Sequence, residues 1–259
     1  MSEMKEYIIS KYEDFWYDIY NIEKEEFIAL KQYMNYVQKE LRNYKMFSYE
    51  YDSIKNLFMN KHLDYLNEAF SCLLLGNYNA FSCLMRIIIE NYTSFILIKK
   101  YKNKNIWIDW YLFGVKKTLN MVSEPYRSKM LEKYKKLCDI FKFDDNIFDN
   151  MQSYGWLKRC IKLKNYSFKN VCKEIDYKVY ADFEYLSSYI HNNDIISKNI
   201  FVDMQILSKF LFLMYDYTNK IIKEYNYHFL QRNYYNYLCT NLLDSINTCC
   251  NYKENLSIF

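Results

Sequence analysis

One of the three histidines in the chain, His191, lies in a setting that suits proton transfer. It closes the run Tyr185-Leu-Ser187-Ser188-Tyr-Ile-His191, so on a helix Ser187 and Ser188 would share a face with the imidazole. A histidine titrates near neutral pH, which suits a general acid or base. The alternative interpretation is a helix-terminal histidine that hydrogen-bonds the last carbonyl groups.

A second pair of chemically capable residues is Arg86 and Glu90, which are four residues apart within a strongly apolar segment. At this spacing two side chains share one face of a helix. One interpretation is an ion pair that also fixes neighbouring helices, because a buried charge needs a partner. The other is a phosphate site, in which the planar guanidinium of Arg86 binds the anion and Glu90 orients it. The spacing leaves both interpretations open.

A third candidate is a basic segment with interleaved aromatic residues, running from Trp156 to Lys178 and containing seven Lys and Arg. Lys158, Arg159 and Lys162 are its candidate substrate-binding residues. Cations and aromatic rings in this pattern suit the backbone and stacked bases of single-stranded RNA. The alternative is a solvated, charged helix or loop face.

Several other functions are excluded by motifs that the chain lacks. Its three glycines cannot build a nucleotide-binding loop, and no Gly-x-Ser-x-Gly, His-Glu-x-x-His or Cys-x-x-Cys motif is present. We therefore expect no cofactor and no metal. Because the N-terminus shows no signal peptide, the eight cysteines are expected to be reduced thiols in a cytoplasm. The longest apolar segments are interrupted by charges, so no membrane association is expected. The net charge of +4 is close to balance and indicates no particular partner.

The scarcity of turn residues determines the predicted fold. Three Gly and one Pro in 259 residues are too few for a strand-rich domain, so we predict an all-α bundle with long antiparallel helices. The chain is expected to be a single helical domain over 1–259. Within it, an N-terminal helical segment, 1–48, packs on a core over 52–250, and 251–259 is a tail. Ser123-Glu124-Pro125 is expected to start one helix, with Ser123 as its cap.

Taken together, these motifs resemble a bacterial family of helical proteins that looks distantly related to the HEPN superfamily. The resemblance covers roughly residues 60–220. It rests on three short motifs: Gly76-Asn-Tyr78 leading into Leu84-Met-Arg86-Ile-Ile-Ile-Glu90, Gly155-Trp156, and Tyr185-x-Ser187-x-x-x-His191. It implies a helical bundle in which Arg86, Glu90 and His191 approach one another. Relatives in the superfamily are often toxins, antiphage effectors or CRISPR-associated ribonucleases, usually dimeric, and they cut RNA without metal.

The chain departs from the usual superfamily signature, which places an arginine five to seven residues before the histidine on one helix. The corresponding positions here are Glu184, Tyr185 and Leu186, so a composite site would take its cation from Arg86 on another helix.

These observations leave three hypotheses open. In the first, the protein is a metal-independent endoribonuclease, with His191 as general acid or base and Arg86, oriented by Glu90, stabilising the phosphorane. Ser187 or Asn192 would hold the RNA, and the protein would be a cytoplasmic homodimer. In the second, it is a non-catalytic helical module that recognises a protein or a nucleic acid in defence or counter-defence. In the third, the same polar residues only fix helix register in the core.

Overall fold

Helices account for most of the residues whose structure is described. The computed structural model describes residues 24–42, 50–75, 77–102, 106–119, 121–143, 153–191, 204–225 and 231–256, and these contain no strand. The all-α prediction is confirmed. The helices are α1 (Lys24–Arg42), α2 (Glu50–Leu74), α3 (Tyr78–Lys100), α4 (Ile106–Leu119), α5 (Tyr126–Phe141), α6 (Phe168–Cys172), α7 (Tyr177–His191), α8 (Met204–Glu224) and α9 (Arg232–Leu256). A 3₁₀ turn covers Gly155–Leu157.

Polar side chains at helix starts explain two of these boundaries. The side-chain oxygen of Asn77 accepts a hydrogen bond from the Ala80 backbone N–H at 3.1 Å, which satisfies a free donor in the first turn of α3. At α5 the expected cap was wrong, because Pro125 occupies the N-cap position and makes no side-chain cap. Glu124 takes this role instead. Its carboxylate accepts from both the backbone N–H and the hydroxyl of Ser128.

The described chain separates into two compact units, whose segments alternate along the sequence. The first unit contains Met1–Ser48, Lys55–Tyr92 and Asp182–Phe259, and the second contains Tyr49–Ile54 and Thr93–Ala181. The single-domain organisation over 1–259 stays a prediction. The last helix extends to Leu256, so most of the expected tail is helical.

In the first unit, α9 packs against both α8 and α1. The fully buried residues include large aromatic side chains from α1, α2, α3 and α8, such as Tyr33, Phe58, Phe81 and Phe210. Burying an aromatic side chain removes a large apolar area from water, so these contacts supply much of the stability of the unit. The high aromatic content of the sequence therefore serves the core.

In the second unit, α4 packs against α5 and against the 3₁₀ turn. Trp107 near the start of α4 meets Phe141 at the end of α5, with ring centroids 6.2 Å apart, so the two helices are antiparallel. Tyr134 is the buried residue of α5, and most of the remaining side chains of this helix are exposed. α5 is therefore attached to its unit along a narrow stripe.

The helix α3 is the one described segment that is long and apolar enough to cross a membrane by length and composition. Within its most apolar window, 61% is buried inside the structure, and Arg86 and Glu90 lie in the same helix. Burial of this kind is typical of a central helix in a globular core, which passes the same test.

Candidate functional site

Arg86 is a half-buried cation in the first unit, and it is directed at α7. Its guanidinium carbon lies 4.3 Å from the centroid of the Phe183 ring, a cation–π contact worth about 0.5–2 kcal/mol. The Nε atom is buried and has no hydrogen-bond partner among the described residues. A guanidinium that packs on an aromatic ring keeps its N–H donors in its own plane, where they can bind an anion.

Ser187 lies one turn after Phe183 on the same face of α7, and His191 follows after four more residues. At 1.5 Å per residue, the His191 backbone lies about 12 Å further along the helix axis than that of Phe183. The Ser187 hydroxyl donates a hydrogen bond to the Phe183 carbonyl oxygen at 2.7 Å. Its proton is therefore used within the helix, and only its lone pairs remain for a ligand.

The other candidate residues of the first unit belong to α7, to the segment after it and to α3. His191 is the last residue of α7, as expected from the polar run that follows it. The side chain of His191 and all of Asn192 lie outside the described residues. Glu90 lies one helical turn after Arg86 on α3, and its side chain is exposed. The fold thus brings Arg86 onto the helix that carries His191.

A buried acid that the sequence analysis did not identify lies on α7, next to Phe183. Asp182 accepts a hydrogen bond from the Tyr217 hydroxyl at 3.3 Å and lies 3.6 Å from the ammonium of Lys209. Burial, and then the negative charge of Asp182, raise the pKa of Tyr217 above its ordinary value, so this phenol stays protonated. In the sequence, the only sign of a buried acid is the apolar run around Lys209, because a cation in such a run needs an acid nearby.

In the second unit, Arg159 forms an ion pair with a buried carboxylate. Its Nη1 lies 3.0 Å from Oδ1 of Asp109, whose side chain is 3% exposed, whereas the Arg159 side chain is about half exposed (49%). Burial raises the pKa of Asp109 to about 6, although the positive charge of Arg159 opposes this shift. Arg159 therefore has a structural partner, while Lys158 and Lys162 project from an exposed surface.

Two of the four aromatic residues of the basic segment are buried and cannot stack on RNA bases, whereas Tyr177 is 52% exposed. Trp156 is 2% exposed, Tyr166 is also buried, and Tyr154 contacts both Trp156 and Phe168, with centroids 6.1 and 5.8 Å apart. Tyr154, Trp156 and Tyr166 belong to the core of the second unit. The expectation of interleaved stacking platforms is corrected for Trp156 and Tyr166.

The two units carry opposite net charge, which the balanced total conceals. The second unit contains 19 basic and 11 acidic residues, whereas the first contains 16 basic and 20 acidic residues. All three histidines belong to the first unit. A running sum of charge along the sequence would have shown the basic region, because 93–181 contains 19 basic and nine acidic residues.

Among the residues that the structure describes, no group of three or more His, Cys, Asp or Glu side chains is arranged to hold a metal ion. His62 is fully buried beside Tyr225, with Nδ1 3.3 Å from the phenol oxygen, and burial lowers its pKa to about 3. His62 is thus a neutral core residue.

Comparison of the chain with protein-family models, with curated proteins and with solved structures finds no match.

Proposed function

We propose that this protein is a HEPN-like helical ribonuclease of a defence or toxin system, which cuts RNA in the cytoplasm, as a homodimer, without a metal ion. The observation that supports this proposal most is the position of Arg86, whose guanidinium lies on Phe183, two turns before His191 on α7. A cation and an imidazole that are far apart in sequence thereby belong to one pair of packed helices. A composite site needs this arrangement, because α7 itself carries no arginine.

The proposed reaction assigns one task to each residue. His191 accepts the proton of a ribose 2′-hydroxyl, and the resulting alkoxide attacks the adjacent phosphorus. The bond from phosphorus to the 5′ oxygen breaks, and the imidazolium returns the proton to that leaving oxygen. Arg86 stabilises the negative charge of the phosphorane, and Glu90 orients Arg86. The products are a 2′,3′-cyclic phosphate and a 5′-hydroxyl.

The residues proposed to hold the substrate supply different hydrogen-bonding groups and charges. Ser187 offers its lone pairs only, since its proton is bound to the helix carbonyl. Asn192 follows His191 directly and supplies an amide. Lys158, Arg159 and Lys162 supply positive charge in the second unit, with Arg159 partly neutralised by Asp109.

Purified protein incubated in EDTA with tRNA and with total cellular RNA tests this proposal. We expect cleavage by the wild type, loss of at least 100-fold in rate in His191→Ala, and a similar loss in Arg86→Met. His228→Ala is the matched control, because it removes another histidine of the same unit and should leave the rate unchanged. Intact RNA with the wild type, or equal cutting by wild type and His191→Ala, would refute the proposal.

A second function, a non-catalytic module that binds a protein, is favoured by one surface. Tyr234 and Tyr237 on α9 are stacked, with centroids 6.3 Å apart, and they are 43% and 58% exposed. Tyrosine is enriched among residues that dominate binding energy at interfaces. Here Tyr234→Ala/Tyr237→Ala would release a specific partner recovered from the native host, and His191→Ala would not. Recovery of the same partner by both variants would contradict this function.

A further inference from the structure

The two members of the Asp109–Arg159 ion pair differ in how far they are exposed to solvent. The Asp109 side chain lies in the first turn of α4 and is 3% exposed, whereas the Arg159 side chain is 49% exposed. Nη1 of Arg159 donates a hydrogen bond to Oδ1 of Asp109 at 3.0 Å. Nε and Nη2 of Arg159 have no hydrogen-bond partner among the described residues. The carboxylate therefore holds the guanidinium from inside the unit and leaves most of its donors available to a ligand.

The backbone around Arg159 is also held in place. Arg159 follows the 3₁₀ turn, in which Trp156 and Leu157 are buried. The Leu157 carbonyl oxygen accepts hydrogen bonds from the backbone N–H groups of Cys160 and Ile161, at 2.8 and 3.0 Å, so Arg159 lies within a hydrogen-bonded turn. An arginine that is fixed both at its backbone and at its guanidinium loses little further freedom when it binds a ligand.

Stability alone does not account for this ion pair. Burying a carboxylate is costly, and well-packed apolar residues of similar volume usually join two segments at least as well. The second carboxylate oxygen of Asp109, Oδ2, is buried and has no hydrogen-bond partner among the described residues, which adds to the cost. Buried acids that are incompletely satisfied and that have a specific charged partner are concentrated at functional sites. Support of Arg159 is therefore the better explanation of Asp109.

The charges around Arg159 indicate the kind of ligand. A planar guanidinium matches the paired oxygens of a phosphate or a carboxylate. The segment from Trp156 to Lys173 carries five lysines besides Arg159, and it contains no Asp or Glu. A ligand with many negative charges gains most beside such a segment, and a nucleic acid carries one charge on every phosphate. A phosphate of a nucleic acid therefore fits better than a single carboxylate.

A phospholipid surface also presents phosphate groups, but it fits this segment less well. Proteins that bind in a membrane interface insert apolar side chains beside their cations. Between Trp156 and Lys173, the large apolar side chains are buried or only partly accessible, and none is exposed. A phosphate on a polymer that stays in water is therefore the ligand that fits Arg159 best.

We infer that Arg159 binds a backbone phosphate of RNA and that Asp109 is the positioning residue that holds its guanidinium ready for that phosphate. The inference rests on the proposed function in naming RNA as the polymer. It deepens that function by giving Arg159 a specific task and by adding Asp109, which acts through Arg159.

Binding should be measured with full-length His191→Ala as the parent protein, so that capture of a uridine strand of about 20 nucleotides is followed without cutting. Asp109→Asn and Asp109→Leu in this parent give the decisive comparison. Both remove the negative charge, and only asparagine keeps an oxygen that can accept from Arg159. Ordering a free side chain on binding costs about 2- to 12-fold in affinity. We expect Asp109→Asn to bind at least as tightly as the parent, and Asp109→Leu to bind about 5-fold more weakly than Asp109→Asn.

Substitutions of Arg159 test the phosphate contact itself. Arg159→Met should weaken binding at least about 10-fold, because it removes charged hydrogen bonds to the phosphate. Arg159→Lys should bind with intermediate affinity, because it keeps the charge and loses the planar fork of donors. The matched control is Arg127→Met, which removes the second arginine of the unit; Arg127 is exposed and has no acidic partner among the described residues. This control should change affinity less than about 3-fold.

Circular dichroism shows whether each variant is folded, and Arg159→Lys with the two Asp109 variants keeps the test decisive if Arg159→Met does not fold. Equal RNA affinities of Asp109→Asn and Asp109→Leu would show that Asp109 does not position Arg159. Equal losses in the Arg159 variants and in Arg127→Met would show that Arg159 makes no specific contact.

Two competitors test the identity of the ligand. Displacement of the RNA by a polyglutamate peptide at equal charge concentration would overturn phosphate as the ligand, and tighter binding to phosphatidylglycerol vesicles than to RNA would overturn RNA as its source. Cleavage by the wild type together with unchanged RNA affinity in the Arg159 variants would refute this inference alone. Binding that depends on Arg159, without any cleavage by the wild type, would refute the proposed function alone.

Discussion

The buried pair of Asp109 and Arg159 leads to a prediction with a defined sign. Asp109 has a pKa of about 6 in the folded unit, compared with about 3.9 for an aspartate in an unfolded chain. The folded state therefore holds its proton more tightly. The contribution of protonated Asp109 to stability is present below pH 4 and is lost as the pH rises from 4 through 6.

The size of the effect follows from the shift. Two pKa units correspond to about 3 kcal/mol, which we reduce to about 2 kcal/mol because Arg159 is half exposed and solvent screens the pair. Asp109→Asn cannot ionise, so the free energy of unfolding of wild type minus that of Asp109→Asn should fall by about 2 kcal/mol between pH 4 and pH 7. Arg159→Met should be less stable than either protein at pH 7, because it leaves a buried carboxyl without its cation.

Urea unfolding followed by tryptophan fluorescence is a suitable assay, because Trp107, Trp110 and Trp156, three of the four tryptophans, belong to the second unit. The measurement should be repeated at pH 4, 5, 6 and 7 for the three proteins. The reasoning fails if the difference between wild type and Asp109→Asn does not change with pH, or if it changes with the opposite sign.

Three further predictions concern single residues. Because burial holds the pKa of His62 at about 3, its imidazole should show no NMR titration between pH 8 and 5, and a midpoint near 6.5 would contradict its burial. Trp156→Phe should lower the melting temperature and leave RNA affinity within 2-fold, since Trp156 is core; a 10-fold loss of affinity in the folded variant would show that it contacts RNA. Glu124→Ala should destabilise the second unit by about 0.5–1 kcal/mol in urea unfolding, whereas the neighbouring Ser123→Ala should have no effect, and the reverse order would restore Ser123 as the cap.

The helical fold could be predicted because its cause is local. Few Gly and Pro leave few places for tight turns, and the boundary at Asn77 follows from the capping chemistry of a single side chain. The cap at α5 was assigned to the wrong residue for a related reason. Ser123 is the better intrinsic cap, but the position of Pro125 shifts the helix start, and the longer side chain of Glu124 then reaches the first turn.

The candidate site could be predicted only in part, because its distinguishing features are non-local. The residue types at Arg86 and His191 suggest chemistry, yet only packing of α3 on α7 places Arg86 over Phe183. Likewise, the spacing of Trp156 and Tyr166 among lysines resembles a stacking surface, and burial by other parts of the unit removes that function. Asp109 could not be paired with Arg159 from the sequence, because the two residues are 50 positions apart.

The central claim is that a cation from α3 and an imidazole from α7 act together on an RNA phosphate. Its most direct test is end-group analysis of RNA cut by the wild type in EDTA, with Arg86→Lys compared to Arg86→Met. We expect 2′,3′-cyclic phosphate and 5′-hydroxyl ends, with partial activity in Arg86→Lys, which keeps the charge, and none in Arg86→Met. Products with a 5′-phosphate, or full activity in Arg86→Met, would contradict it.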